Sequence, residues 1–419
     1  MALRLTLATY RLPFARPFVT ASGVHRVRSG YIVRIADVSS GASGYGEVAP
    51  LPGHGGEPLD DARRALAAAA GALTRLVPEG SRTIADLSTW TAYAAREMAA
   101  APCSRAGIEL ALADLLARRQ GLPLARWLDP HASRSVAVNA TIGAVSPDEA
   151  AARASDAVAE GYGTIKIKVG DAGGQARVAA VREAAAAAAT TATTTSTTGA
   201  AADRGGVHAM APRTEASAGS DGSTLAAAAG RVPAQGVRLR LDANGAWGAA
   251  EARIALAALA RYGIELVEQP VAAADVQGLA ALRRLGLMPI AADEALEVAG
   301  GWLAVLSASA ADVLVLKPTL LGGPLAALAI AAKARAAGVG VIVTSALDSA
   351  VGRAGALHVA AALPELAGAC GLATGGLLAA DVALSPAPHR GTLTLPDDPG
   401  LGIEPSHDGD GSPLEWSTL

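Results

Sequence analysis

The stretch 164-TIKIKV-169 has the alternating pattern of a β-strand and carries two lysines. Because strand side chains alternate with a period of two, the aliphatic residues share one face, and Lys166 and Lys168 share the other. Lysine is rarely buried without a partner, so two adjacent ammonium groups need either solvent or a set of negative charges. The rest of the sequence indicates whether the two lysines face solvent or negative charges.

Seven further strand-like segments occur at intervals that leave room for a helix. They are 136-VAVNATI-142, 237-VRLRLDA-243, 263-GIELVEQ-269, 288-MPIAADE-294, 312-DVLVLK-317, 340-GVIVTS-345 and 369-ACGLAT-374. Eight strands separated by helix-length segments are typical of a parallel (β/α) barrel, and an open doubly wound sheet is the alternative. We therefore predict an α/β barrel over residues 131–374.

The composition limits the kind of protein. The chain has 419 residues, 51% of them hydrophobic and 17% charged, which supports a large core and argues against general disorder. A net charge of −3, without a basic stripe, argues against nucleic-acid binding. Two cysteines fit a reducing compartment, and the sequence shows neither a signal-peptide core nor an apolar run suited to a membrane span. These features predict a cytoplasmic protein with no membrane partner.

The N-terminal region, residues 1–130, has a mixed pattern. A strand-like segment, 31-YIVRIADV-38, leads into the Gly/Pro-rich stretch 41-GASGYGEVAPLPGHGG-56. Ala-rich helical patterns follow, from about Leu59 to Leu76 and from about Leu87 to Gln120. This region is therefore expected to combine strands and helices.

One interval between barrel strands is unusually long. Residues 184–224 are rich in Ala, Thr, Ser and Gly and contain few large apolar residues. We interpret residues 184–230 as a low-complexity insertion, disordered or loosely helical. Because it follows a helix and precedes a strand, it is expected at the N-terminal face of the barrel, away from the active-site face.

Ionisable residues end four consecutive strand candidates. Asp242, Glu268, Asp293 and Lys317 are separated by 26, 25 and 24 residues, about one βα unit each. Taken singly, an Asp at a strand end is usually a helix N-cap, and a Glu there is usually solvated. Parallel strands, however, deliver all four to the C-terminal rim, where barrel enzymes keep their chemistry, and Lys168 ends the second strand at the same rim.

The residue types at this rim suggest a reaction class. Three clustered carboxylates repel one another and need a divalent cation, and all-oxygen ligation favours Mg²⁺, or Mn²⁺, over zinc. Lysines beside the metal can then act as proton carriers. We predict proton abstraction alpha to the carboxylate of a small-molecule substrate. Racemisation, cycloisomerisation or loss of a β-leaving group can follow that step.

The pattern of strand-end residues resembles the enolase superfamily, in its muconate cycloisomerase-like branch. The matching motifs are KIK at 166–168, DAN at 242–244, EQP at 268–270, DE at 293–294 and KP at 317–318. The resemblance implies a modified TIM barrel, (β/α)7β. It also implies an α+β capping domain built from residues 1–130 and the C-terminal tail, residues 375–419.

Within that branch, four local stretches resemble the o-succinylbenzoate synthase family of menaquinone biosynthesis. They are 44-GYGEVAPLPG-53, 239-LRLDANGAW-247, 315-VLKPTLLGG-323 and 372-LATGGLLAADV-382. The resemblance implies a Mg²⁺-dependent lyase that performs a syn dehydration. N-acylamino acid racemases, dipeptide epimerases and muconate cycloisomerases use the same site residues and remain alternatives.

The resemblance also implies roles for individual residues. Asp242, Glu268 and Asp293 would bind Mg²⁺. Lys168 would remove the α-proton and return it to the departing hydroxide. Lys166 would help to neutralise the charge of the substrate and the enediolate, and Lys317 would face the intermediate from the opposite side.

Further residues are candidates for substrate contact or support. The candidates for binding the substrate are Arg240, Ser345, Ser349 and Gly322. Arg240 could equally pair with a rim carboxylate, and the two serines could equally be helix N-caps. Asn244 and Glu294 are expected to orient the metal ligands. The stretches 17-PFVTASGVHRVRSG-30 and 52-PGHGG-56 resemble loops that close over the site in this family.

Overall fold

The computed structural model describes residues 3–20, 23–51, 54–77, 80–199, 236–298, 300–406 and 413–418. An N-terminal antiparallel sheet with its helices precedes a curled parallel sheet in the chain. The parallel sheet carries the candidate site.

A long hairpin forms the centre of the N-terminal sheet. Strand β1 (Leu3–Thr20) pairs antiparallel with β2 (Gly23–Asp37), which in turn pairs with β3 (Ser43–Val48). The prediction of a loop over residues 17–30 is wrong for the described residues. Phe18 there pairs with His25, so the hairpin arms continue as strands, and the register shifts between Pro13 and Phe18.

In the described part of this region, four α-helices follow the strand β3. They are α1 (Leu59–Leu76), α2 (Ser88–Glu97), α3 (Pro102–Arg119) and α4 (Leu124–Leu128). The predicted helix from about Leu59 to Leu76 is confirmed. The helical pattern predicted from about Leu87 to Gln120 forms two helices, α2 and α3. Pro102 starts the second helix and holds Ala101 outside the helical region, at φ −133° and ψ 60°.

Two glycines of β3 permit the close packing of α3. A Cβ on Gly46 would lie 1.9 Å from the carbonyl oxygen of Gly107, and one on Gly44 would lie 2.2 Å from that of Ala111. The helix backbone therefore rests directly on the strand, which only glycine allows. This contact fixes the helix that reaches from the N-terminal region to the barrel.

After the short strand β4 (Ser135–Ala137), seven parallel strands pair in chain order. They are β5 (Ala140–Ile142), β6 (Thr164–Lys168), β7 (Arg238–Asp242), β8 (Ile264–Glu268), β9 (Ile290–Ala292), β10 (Val313–Leu316) and β11 (Gly340–Val343). The helices between and after them are α5 (Pro147–Ala159), α6 (Gly174–Gly199), α7 (Ala249–Leu259), α8 (Val276–Arg284), α9 (Gly301–Ser307), α10 (Pro324–Ala336) and α11 (Ala350–Ala362).

The eighth predicted strand, 369–374, closes the barrel without forming a ladder of its own. Isolated parallel bridges join Gly371 to Thr344 beyond β11, and Cys370 to Val138 beyond β4. The parallel barrel expected from the strand rhythm is therefore present. The first predicted strand, 136–142, is split in two, because β4 pairs antiparallel with β12 (Thr392–Thr394) while β5 joins the barrel.

The C-terminal residues return to the N-terminal sheet. Strand β13 (Leu414–Thr418) pairs antiparallel with β1 and extends that sheet on its outer side. Of the predicted insertion, α6 occupies the part up to Gly199, and residues 200–235 lie outside the described residues. The limits of the predicted domains and the placement of the insertion remain predictions.

Candidate active site

Three carboxylates meet at the C-terminal rim of the barrel. Asp242 and Glu268 are the last residues of β7 and β8, and Asp293 immediately follows β9. The strand register places Lys168, Asp242 and Glu268 directly beside one another across three strands. All three carboxylate side chains are buried. Parallel pairing in register therefore gathers groups that lie far apart in the chain.

Two lysines of β6 neutralise one side of this cluster. The Lys168 Nζ lies 2.7 Å from Asp242 Oδ2 and donates to Asn244 Oδ1 at 2.6 Å. The Lys166 Nζ lies 2.8 Å from Asp242 Oδ2 and 2.6 Å from Glu268 Oε1. The alternation seen in 164-TIKIKV-169 thus turns both ammonium groups toward buried carboxylates.

A third lysine approaches from the other side of the barrel. Lys317 follows β10, four strands away from β6, which is half the circumference of an eight-stranded barrel. Its Nζ lies 2.7 Å from Asp293 Oδ1 and 2.8 Å from Glu297 Oε1. Lys168 and Lys317 therefore lie on opposite sides of the three carboxylates.

The pKa values of these groups reflect burial and mutual charge. Burial raises the pKa of Glu268 to about 7, with the charges of Asp242 and Asp293 adding to the shift and Lys166 opposing it. Burial likewise raises the pKa of Asp293 to about 6, against the opposing effect of Lys317. For Asp242, burial acts in the same direction, but Lys166 and Lys168 outweigh it and hold its pKa well below the usual range.

The donor set fits a divalent cation. Three buried carboxylates supply only oxygen ligands, and Asp293 Oδ1 accepts no hydrogen bond within the described part of the chain, although it touches the Lys317 ammonium. Among the described residues, no three acidic, His or Cys side chains already surround a common metal position, because the carboxylates are turned toward the lysines. A cation bound here would compete with the ammonium groups for these oxygens.

Asn244 joins Asp242 at the end of β7 to Glu294, which follows Asp293. Its backbone N–H donates to Asp242 Oδ1 at 3.0 Å, and its side-chain amide donates to Glu294 Oε1, also at 3.0 Å. The residue adopts a left-handed conformation with φ 46°, which Asn tolerates better than most residues. These contacts agree with the expected orienting roles of Asn244 and Glu294, which remain predictions.

A cavity of about 410 Å³ opens above the carboxylates. The predicted metal and lysine residues line it together with side chains from the N-terminal sheet and its loops, including Phe18, Leu51 and His54. Ser345 and Thr374 line the same cavity, and their hydroxyl oxygens lie 2.7 Å apart. The cavity thus combines charged groups at its base with apolar side chains above them.

Three predicted substrate-binding residues lie elsewhere. Arg240 pairs with Glu265 at 2.6 Å and donates to the Ala369 carbonyl oxygen. Ser349 is the N-cap of α11, and its buried hydroxyl donates to Glu47 at 2.6 Å. Gly322, with φ 95°, packs against the Arg105 side chain. None of the three is among the described residues that line the cavity. For Ser349 this favours the alternative of helix capping. Arg240 does form an ion pair, but its partner Glu265 is the second residue of β8 and not a rim carboxylate.

Two residues to which the sequence assigned no individual role contact the site. Glu297 lies one helical turn beyond Asp293 in 293-DEALE-297 and binds Lys317. His54 lies in the Gly-rich stretch 52–56 and contacts Glu297 through Nδ1 at 2.9 Å. The spacing of Glu297 from Asp293 is a signal the sequence contains, whereas the sequence offers no signal that pairs His54 with it.

The family models agree with this architecture. Residues 197–409 match the model described as "Enolase C-terminal domain-like", about half of the chain, and residues 3–115 match "MenC, N-terminal domain". The chain therefore belongs to the enolase superfamily. The first match includes Asp242, Glu268, Asp293 and Lys317, whereas the lysines of β6 lie outside both matches.

Relatives with a high identity cover part of the chain. A stretch of 158 residues is 54% identical to the o-succinylbenzoate synthase of Mycobacterium tuberculosis (strain ATCC 25618 / H37Rv), covering 38% of this chain and 47% of that protein. Another of 178 residues is 50% identical to the o-succinylbenzoate synthase of Mycobacterium ulcerans (strain Agy99), covering 41% and 52%. The chain matches about half the length of these curated relatives.

Solved structures resemble the whole chain. The L-Ala-D/L-Glu epimerase of Bacillus subtilis is 28% identical, with a TM-score of 0.74 and coverage of 96% of this chain and 98% of that one. The dipeptide epimerase of Enterococcus faecalis V583, complexed with Mg and a dipeptide, is 26% identical, with a TM-score of 0.77 and coverage of 96% and 99%. A muconate lactonizing enzyme of Pseudomonas fluorescens, at 23% identity and TM-score 0.76, shares the fold. Within the described residues, no helix is long and apolar enough to cross a membrane.

Proposed function

We propose that this chain is an o-succinylbenzoate synthase, a lyase of menaquinone biosynthesis. It would dehydrate 2-succinyl-6-hydroxy-2,4-cyclohexadiene-1-carboxylate to 2-succinylbenzoate. The main observation that supports this reaction is that Lys168 and Lys317 lie on opposite sides of three buried carboxylates at the barrel rim. The mycobacterial synthases and the match to the N-terminal domain model support this choice of reaction.

Asp242, Glu268 and Asp293 would hold the metal ion, Mg²⁺ or alternatively Mn²⁺. Hard divalent cations prefer carboxylate oxygens, which are the only ligands these three residues supply. The epimerase of Enterococcus faecalis, which resembles the whole chain, was solved with Mg. When bound, the metal would stabilise the negative charge that develops on the substrate carboxylate as the α-proton leaves.

Lys168 would act as both base and acid. In its neutral form, its Nζ lone pair would take the α-proton, and the electrons of that C–H bond would remain on the substrate. As the β C–O bond breaks, the resulting ammonium would return the proton to the departing hydroxide, forming water. One group serving both steps implies a syn elimination. Asp242 and Asn244 hold Nζ at 2.7 and 2.6 Å, which fixes its position for both transfers.

Lys166 and Lys317 would balance charge around the substrate. Lys166 bridges Asp242 and Glu268, so its positive charge lies between two of the proposed ligands. Lys317 faces the same region from the opposite side, beside Asp293. Positive groups placed before the reaction stabilise developing negative charge without reorganisation, which is the most effective form of electrostatic catalysis.

Racemisation or epimerisation is the second candidate function. It is favoured by the similarity to two epimerases over nearly the whole chain. These reactions need proton transfer on both faces of the substrate, and the opposite placement of Lys168 and Lys317 provides it. N-acylamino acids, dipeptides and muconate are the substrates to compare with the cyclohexadiene, because one rim can serve all of these reactions.

The proposed dehydration can be followed by the loss of diene absorbance. Purified protein with Mg²⁺ should consume the succinyl-cyclohexadiene, and Lys168→Ala should abolish turnover while the protein still folds and binds Mg²⁺. The exposed Lys333 provides a matched control, since Lys333→Ala removes a lysine of α10 that is remote from the rim. That variant should keep wild-type activity.

Other outcomes would redirect the proposal. Substantial activity in Lys168→Ala would remove this residue from the role of base. If the wild type leaves the diene unchanged but exchanges the α-protons of N-acylamino acids or dipeptides in D₂O, the function is that of an isomerase.

A further inference from the structure

Glu297 is a buried carboxylate that the proposed reaction does not use. Its side chain is 2% exposed, and each of its oxygens has a different partner. Oε1 accepts a hydrogen bond from Lys317 Nζ at 2.8 Å, while Oε2 lies 2.9 Å from His54 Nδ1 and accepts from the Gly55 N–H at 3.2 Å. The carboxylate therefore links Lys317 to the loop that precedes α1.

The ammonium group of Lys317 consequently contacts two carboxylates, those of Asp293 and Glu297. Its Nζ lies 2.7 Å from Asp293 and 2.8 Å from Glu297, and its side chain is 7% exposed. Asp293 is also one of the three proposed metal ligands. A cation and an ammonium compete for the same carboxylate oxygens, and a buried ammonium that loses its counter-charge is strongly disfavoured. Metal binding at Asp293 therefore requires another partner for Lys317.

We propose that Glu297 is a positioning residue that retains the Lys317 ammonium when Asp293 turns its oxygens to a divalent cation, and that His54 and Gly55 hold Glu297 in place for this role. The inference rests on the metal site of the proposed function. The affinity for the metal then depends on the carboxylate of Glu297, which is not itself a ligand.

The loop around His54 packs closely against Glu297. A Cβ on Gly55 would lie 2.2 Å from the Glu297 carbonyl oxygen and 2.7 Å from its Cβ, so only glycine allows the loop to approach this closely. His54 also lines the active-site cavity. A residue of the N-terminal region that faces the substrate space therefore also holds the counter-charge of Lys317.

The test is a double-mutant cycle on Mg²⁺ binding, measured by calorimetry with Mg²⁺ alone. Glu297→Gln keeps the size of the side chain and removes its charge. It should weaken Mg²⁺ binding by about tenfold, because Asp293 is then the one carboxylate of this pair that still balances the Lys317 ammonium. In a Lys317→Met background, the same Glu297 change should have no further effect, since no ammonium remains to occupy Asp293.

The cycle separates this role from a simple charge effect. If Glu297 acted only as one more negative charge near the metal, Glu297→Gln would weaken binding equally in both backgrounds, and that result would overturn the inference. Glu265→Gln is a matched control, because it also removes the carboxylate partner of a buried cation, Arg240, but not one that contacts Lys317. It should leave Mg²⁺ affinity close to that of the wild type.

A second variant leaves the charge of Glu297 intact. His54→Ala removes the support of Oε2 together with the contact of His54 Nδ1 to Lys317 Nζ at 3.5 Å. It should weaken Mg²⁺ binding less than Glu297→Gln and again only when Lys317 is present. Unchanged binding in both His54→Ala and Glu297→Gln would exclude the proposed role. If the wild type binds Mg²⁺ but does not dehydrate the diene, the synthase assignment fails while the cycle still tests Glu297. A wild type that binds no Mg²⁺ would overturn both.

Discussion

Arg177 donates a hydrogen bond from Nη1 to the main-chain carbonyl oxygen of Lys168, at 2.5 Å. The same guanidinium donates to the Val145 carbonyl oxygen at 2.8 Å and pairs with Asp171 at 2.8 Å. Its side chain is 2% exposed, although it lies on α6 and outside the cavity. Arg177 therefore joins the end of β6 to a neighbouring rim loop and positions Lys168 through the backbone.

Arg177→Met should lower kcat by about ten- to a hundredfold while changing Mg²⁺ affinity little. Loss of the guanidinium releases the end of β6, where the proposed base Lys168 lies, and small displacements of a reacting group are costly to the rate. The proposed ligands Asp242, Glu268 and Asp293 are held at the ends of their own strands, so the proposed Mg²⁺ binding should persist. The measurement is steady-state kinetics of the diene reaction together with Mg²⁺ calorimetry.

Arg182 is the matched control for this prediction. It lies on the same helix and donates to the carbonyl oxygens of Tyr262, Val237 and Gly263 at 2.9, 2.8 and 3.0 Å. These carbonyls lie at the N-terminal ends of β7 and β8, away from the rim. Arg182→Met should therefore reduce stability but leave kcat near wild type, and an equal loss of kcat in both variants would show that Arg177 has only a structural role.

His358 should make the protein less stable in acid. It is buried in α11, with Nδ1 accepting from the Ala125 N–H at 3.0 Å, and burial lowers its pKa from 6.5 to about 4. A lowered folded-state pKa gives stability that is complete above pH 6.5 and is lost as the pH falls toward 4. The loss should amount to about 3 kcal/mol, from 1.4 kcal/mol per pKa unit.

The comparison with His358→Gln isolates this effect. Glu109, whose pKa burial raises to about 7, contributes a slope of the opposite sign between pH 4.5 and 7, because its ionisation disfavours the folded state. The free energy of unfolding of both proteins should be measured by urea denaturation from pH 7 to 4. The difference between the two values at each pH cancels the contribution of Glu109, which both proteins contain. A His358→Gln variant that loses stability with the same slope as the wild type would contradict the prediction.

Glu47 should contribute strongly to the stability of the folded protein by holding the loop after β11. Its carboxylate accepts from the Ser349 hydroxyl at 2.6 Å and from the N–H groups of Ser349 and Gly352 at 2.9 and 2.7 Å, and Tyr10 donates to it as well. Glu47→Ala leaves these buried donors without an acceptor, so it should cost about 3 kcal/mol of unfolding free energy.

The milder Ser349→Ala variant controls for helix capping. It removes one hydroxyl and should cost about 1 kcal/mol. Chemical denaturation of both variants gives the two values, and similar losses would show that Glu47 contributes no more than an ordinary cap contact.

The predicted insertion should be dispensable. Deleting residues 190–223 should leave kcat and KM nearly unchanged, because the N-terminal face of a barrel is remote from its active site. A purified deletion variant that shows the wild-type circular dichroism spectrum and melting curve but no activity would contradict the placement of this segment.

Much of the rim could be predicted because a single rule governs it. In a parallel barrel, the last residue of every strand reaches the same edge, so Asp242, Glu268 and Lys317 could be brought together from spacing alone. The partner that each charged side chain selects followed no such rule. Arg240 lies on the strand face expected for a rim residue, yet it pairs with Glu265, because its partner depends on the neighbouring strand and on the closing segment at Ala369.

By itself, the sequence determined the barrel, its rim and the identity of the charged groups there, because strand alternation and βα spacing are periodic and local. The tertiary structure decided which partner each group has. His54 and Glu297 are 243 positions apart, and they meet only because the N-terminal region packs over the barrel rim. Such a contact depends on how two separate regions pack together, and no periodicity in either segment encodes it.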